Sequence, residues 1–116
     1  MIYHITRKKD WETARKAGVY QGDTLDTEGF IHCSDEQQVL IVANSRFKGQ
    51  TGLVLLVIDP DRVAPKIVRE NLAGGDTLFP HIYGSLNLDA VLDVATFELG
   101  KNDFFDLPTI NPDKLD

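Results

Sequence analysis

Gly29-Phe30-Ile31-His32-Cys33-Ser34-Asp35-Glu36-Gln37-Gln38 is the stretch on which the reading of the fold turns. Its first five residues, rich in aromatic and β-branched side chains, read as a short strand that stops at Ser34. Ser34 with Gln37 three positions on has capping-box spacing, and Val39, Leu40, Ala43 and Phe47 then recur at helical intervals as far as Gly49. A strand that runs straight into a helix start sets His32 beside free backbone N–H groups and the positive end of a helix dipole. That setting suits an anionic ligand group and disfavours imidazolium, so His32 is expected to be neutral and to act by hydrogen bonding. Cys33, on the opposite face of the same strand, is expected in the core, where a thiol is inert.

Towards the N-terminus, Met1-Ile2-Tyr3-His4-Ile5 reads as a strand covered on both sides. Thr6 is placed to cap a helix over residues 8–17, with Trp11 and Ala14 on its inner side and Gly18 as the left-handed C-terminal residue. Residues 19–28, with Gly22, two Asp and two Thr, read as a loop. On the C-terminal side, Leu53-Val54-Leu55-Leu56-Val57-Ile58 is apolar on both faces and is the expected central strand. Residues 66–70 read as a strand, 73–76 as a turn, 79–84 as a Pro-containing segment closed by glycine, 88–90 as one helical turn and 91–99 as a last strand. The composite is an α+β domain over residues 1–99, with two main helices against small sheets and an irregular tail over 100–116 that docks its aromatics.

A chain of 116 residues is one domain's length, and 42% apolar against 26% charged residues is ordinary for a folded protein. The six-residue apolar run at 53–58 is far short of the ~20 residues of a membrane-spanning helix. With no basic-then-apolar leader at its start, the chain is expected in the cytoplasm. Twelve Lys and Arg against eighteen Asp and Glu leave a net charge of -6 and no dense basic run, so long nucleic acids are not expected partners. The cluster at Arg7, Lys8 and Lys9 reads as a solvated helix face. A single cysteine forms neither an intrachain disulfide nor a thiolate metal site. No Walker or G-x-G-x-x-G sequence is present.

Chemistry then falls to His4, His32 and His81, each on or beside an expected strand. Any one of them has a plainer reading as a packed, hydrogen-bonded structural residue; as a group they are more suggestive. Pro80 biases its neighbour towards extended backbone and stiffens the segment that carries His81, and Tyr83 shares a side with His81 if that segment is extended. Three histidines invite a zinc reading, but no two lie at i, i+2 or i, i+4, and no metal ligand is assigned. Ser34 is better explained as a helix cap than as a nucleophile, which disfavours a hydrolase triad.

The segments Gly29-Phe30-Ile31-His32-Cys33-Ser34 and Phe79-Pro80-His81-Ile82-Tyr83-Gly84, with Ile2-Tyr3-His4-Ile5, Trp11, Ala14, Gly18-Val19-Tyr20, Gln38 and the 53–60 strand, resemble a family of small uncharacterised bacterial proteins over residues 1–99. That family's fold resembles that of ADP-ribosyltransferases, which implies two small mixed or antiparallel sheets flanking a cleft that holds NAD. His4-Ile5-Thr6 is similar to the His-Gly-Thr of such enzymes, with Ile5 in place of the glycine, and this implies that His4 and Thr6 contact the nucleotide. His32 would stand where those enzymes stack a tyrosine on nicotinamide, with Ser34 beside it. The resemblance implies a cytoplasmic protein that binds NAD or a related nucleotide among His4, Thr6, His32 and Ser34, with His32, His81 and Tyr83 as the reacting groups. The family's carboxylate has no assigned position, and Glu70, Asp89 and Glu98 are candidates by residue type. The alternatives are a non-catalytic nucleotide-binding module and a metal-assisted hydrolase.

Overall fold

The computed structural model describes residues 1–22, 24–100 and 103–107. In chain order its elements are β1 (Ile2–Arg7), α1 (Lys8–Ala17), β2 (Val19–Tyr20), α2 (Leu25–Glu28), β3 (Ile31–His32), α3 (Glu36–Arg46), β4 (Leu53–Ile58), β5 (Lys66–Glu70), β6 (Phe79–Tyr83), β7 (Leu86–Asn87) and β8 (Val91–Phe97). Single 3-10 turns occupy Pro60–Arg62 and Leu88–Ala90. The class is α+β, and the sheets are antiparallel throughout rather than mixed: β1-β4-β8, the two-stranded β2-β7, and β3-β6-β5.

Sheet β1-β4-β8 is the inner layer, and the reason is in β4. All six of its residues are apolar and buried, so both faces must be covered. On one face Leu53, Leu55 and Val57 join Tyr3, Ile5 and Phe97 and pack with Val39 and Ala43 of α3. On the other, Val54, Leu56 and Ile58 join Ile2, Trp11 and Ala14 of α1, Tyr20, and Ile31 and Ile82 of the β3-β6-β5 sheet. Apolar side chains, rather than an open cleft, therefore fill the space where the two three-stranded sheets face each other.

Helix α1 ends as expected on Gly18, whose φ of 84° lets its N–H close on the Ala14 carbonyl. Its start is a correction: Arg7 is the N-cap, without a side-chain capping bond, and Thr6 lies buried inside β1. The 19–28 loop also resolves into structure, with β2 pairing β7 and α2 closing on Gly29. Neither piece is long enough to show a hydrophobic period in sequence. The final strand ends at Phe97, two residues before its expected limit. In the tail, Phe105 is buried and stacks on Phe97 at 4.7 Å, whereas Phe104 stays half exposed under Lys48. Asp23, Lys101, Asn102 and residues 108–116 lie outside the described residues, so the rest of the tail expectation is not addressed.

Candidate functional site

The chain leaves β3 at Cys33, whose N–H bonds the Pro80 carbonyl, and at Ser34 it changes partner. Ser34 exchanges two 2.8 Å backbone hydrogen bonds with Tyr3 of β1, so this junction ties one three-stranded sheet to the other. Backbone pairing holds Ser34 buried and takes it out of the cap position. The N-cap of α3 is Asp35, in a capping box with Gln38, one residue later than the Ser34–Gln37 spacing suggested. Arg69 donates to both Asp35 carboxylate oxygens at 2.7 and 2.8 Å. The start of α3 thus already holds a carboxylate with its own cation, where the sequence by itself leaves its N–H groups free for a ligand anion.

His4 and Thr6 face the core side of β1. His4 is 6% exposed; its Nδ1 donates to the His32 backbone carbonyl and its Nε2 lies 2.7 Å from the Tyr20 hydroxyl. That hydroxyl donates to Thr6 Oγ1 at 2.9 Å. Both residues belong to a buried polar chain that holds β1, β2 and the end of β3 together, a structural use for which the sequence carried no direct sign.

His32 and His81 do converge. They are directly paired across β3 and β6, and their rings meet edge to face with centroids 5.2 Å apart. Because Ile31 and Ile82 take the inner face, His32, His81 and Tyr83 share the outer one. Phe30 covers them: its ring stacks on His81 at 4.2 Å and lies 4.8 Å from His32 and 5.3 Å from Tyr83. Two carboxylates complete the group. Glu28, at the end of α2, meets His32 Nε2 at 2.6 Å, and Glu70, at the end of β5, accepts from both His81 Nδ1 (2.9 Å) and the Tyr83 hydroxyl.

These contacts set the electrostatics. The hydrogen bond from Tyr83, then that from His81, holds the Glu70 carboxyl below the usual carboxylate range, and the Glu70 carboxylate in turn holds the Tyr83 phenol above its usual value. Cys33 lies in the core with its thiol pushed up by burial, as expected for an inert residue. Of the three carboxylates named by type, only Glu70 joins the group; Asp89 bonds Asn87, and Glu98 is exposed after β8. Glu28 and Phe30 were missed as site residues. For Glu70 a signal did exist: two strands flanking the Gly74-Gly75 turn form a hairpin, and its register sets Glu70 diagonal to His81. Among the described residues no group of three or more His, Cys, Asp or Glu side chains is placed to hold a metal ion, and no helix is long and apolar enough to cross a membrane.

The fold is similar to that of solved structures. The crystal structure of protein CC0527 from Caulobacter crescentus superposes with a TM-score of 0.82 at 30% identity, over 91% of this chain and 93% of that one. The solution structure of the same protein gives a TM-score of 0.78 at 32% identity, over 89% of each chain. Among curated proteins none matches. The sequence pattern of the family described as "Protein of unknown function (DUF952)" matches residues 5–94, from the middle of β1 to the middle of β8, and the chain belongs to that family.

Proposed function

We propose that the outer face of the β3-β6-β5 sheet binds NAD or a related nicotinamide nucleotide as substrate, and that the protein transfers the ADP-ribosyl group or cleaves the same glycosidic bond. The observation that carries this reading is the meeting of His32, His81 and Tyr83 with the Glu70 carboxylate on one sheet face. Loss of nicotinamide leaves positive charge on the ribose, and the group that stabilises it must be anionic at neutral pH. Glu70 meets that need because its two hydrogen-bond donors favour the ionised form. Both donors reach Oε2, and no described residue donates to Oε1, which remains for a ligand. The Tyr83 ring, 38% exposed, offers a stacking surface, and Glu28 adds a second negative charge beside His32.

Two carboxylates suit the cationic nicotinamide-ribose half of the substrate better than its diphosphate. On this face Lys66, paired opposite Tyr83, is the cation available to a phosphate. The same reading takes the fold to be ADP-ribosyltransferase-like, supported by the small antiparallel sheets and by a β1 histidine hydrogen-bonded to the β3 backbone. His4 and Thr6 enter it as supports of that junction rather than as nucleotide contacts.

Calorimetric titration with NAD, followed by an assay of released nicotinamide, tests the proposal. Binding with release that Glu70→Gln abolishes is the expected result, and absence of binding overturns it. A non-catalytic binding module is the second reading, favoured by the engagement of Glu70 Oε2 with two protein donors; binding without release supports it. The metal-assisted hydrolase finds no ligand set among the described residues and is not carried further.

A further inference from the structure

The proposed chemistry leaves open what receives the ribosyl group, and the setting of His81 bears on it. Its Nδ1 faces the Glu70 carboxylate, which only accepts, so in the neutral ring the proton sits on Nδ1 and the lone pair on Nε2. No described residue bonds Nε2, yet no buried side-chain nitrogen or oxygen among the described residues lacks a partner. Nε2 is therefore not fully sealed, although the residue is only 5% exposed. The ring is held by stacking on Phe30, by the edge of His32 and by its place in the middle strand of the sheet. This is an oriented, carboxylate-backed base whose Nε2 lone pair is not taken by any described residue.

A base matters only to an acceptor that must lose a proton. A carboxylate acceptor has no proton to lose, whereas water or an alcohol sheds one as it bonds the oxocarbenium-like ribose, and a positioned base assists that step. Resting on the function proposed above, we infer that the acceptor is a neutral O–H nucleophile, water or a hydroxyl compound, and that His81 is the catalytic residue that deprotonates it. The ribose C1'–N bond breaks and its electron pair leaves with neutral nicotinamide. The acceptor oxygen forms the new bond to C1', and its proton passes to His81 Nε2. The imidazolium so formed is stabilised by Glu70 and returns the proton to solvent. The charged and titratable groups around His81 are Glu70 from β5, His32 from β3 with Glu28 of α2 on its far side, and Tyr83 from its own strand.

The experiment follows the products formed from NAD in water containing methanol or acetate. Expected are ADP-ribose and its methyl glycoside in amounts that track the methanol content, and no acetyl ester. His81→Gln should slow release by roughly 10²–10⁴-fold, and added imidazole should restore part of the rate to His81→Gly. If the His81 variants do not fold by circular dichroism, the wild-type protein gives the second readout: release slows in deuterium oxide because a proton is in transfer to Nε2 as the acceptor attacks. Ester formation, full activity in His81→Gln, or an equal rate in deuterium oxide overturns this inference while leaving NAD cleavage intact. Failure of NAD to bind overturns the underlying reading, and this inference with it.

Discussion

Strands β4 and β6 are each the middle strand of a three-stranded antiparallel sheet, yet they put their two faces to different uses. β4 has a layer on either side and spends all six positions on buried aliphatic residues. β6 turns Ile82 inward to the same core and His81 and Tyr83 outward to Glu70, Phe30 and His32. A strand covered on both sides has room only for packing; a strand whose outer face is covered by a single aromatic ring can hold polar groups that are hydrogen-bonded but still reachable. The two sheets join at residues 31–35, so the packed layer and the polar cluster meet in the segment that carries His32.

The sharpest way to test this division is to damage each sheet separately. Leu56→Ala removes a fully buried side chain at the middle of β4 and should cost about 2–5 kcal/mol of stability, read from denaturant unfolding. A loss below about 1 kcal/mol would show that the double-sided layer is not the stabilising centre. The seam between the sheets comes next. Tyr20→Phe deletes the hydroxyl that contacts His4 and Thr6 and should cost about 1–3 kcal/mol, because buried polar groups lose a partner. The Asp35–Arg69 pair that fastens β5 to α3 is well exposed, so Arg69→Met should cost only about 0.2–1 kcal/mol, with the loss shrinking in high salt.

The outer face of β6 should instead announce itself through pH. Glu70 has a depressed folded value, so its contribution is present above the ordinary carboxylate value and is lost as pH falls through the folded one. Tyr83 has a raised folded value, so its contribution is present below 10.0 and is lost as pH rises through the folded one. Glu70→Gln should therefore flatten the acid side of a plot of unfolding midpoint against pH. It should also bring the Tyr83 phenol back down towards its ordinary titration, followed by ultraviolet absorbance against Tyr83→Phe. An unchanged phenol titration would separate Tyr83 from Glu70 and dissolve the cluster.

Some of this was legible from residue types alone. Six consecutive aliphatic residues admit few readings besides a strand buried on both faces, and Trp11, Ala14 and Gly18 mark the inner side and end of α1 by spacing and by the need for positive φ. The cap of α3 was legible only to within one residue. Ser34–Gln37 and Asp35–Gln38 have the same spacing, and the choice between them was made by Tyr3, distant in sequence, which takes Ser34 into a backbone pair. Likewise His4 looked like a member of the site, and a carbonyl and a phenol contributed from elsewhere in the chain made it a structural residue.

From its sequence the protein already had its class, its inner strand, its two main helices and the identity of the side chains able to do chemistry, because periodicity and residue type act over a few neighbouring positions. Which of those side chains meet was decided by strand register: pairing β6 with both β3 and β5 sets His32, His81, Tyr83 and Glu70 on one face and leaves His4 on the other side of the junction. The β5-β6 hairpin takes its register from its own turn, but the register of β3 on β6 is fixed by which faces must be buried together, and no local pattern carries it.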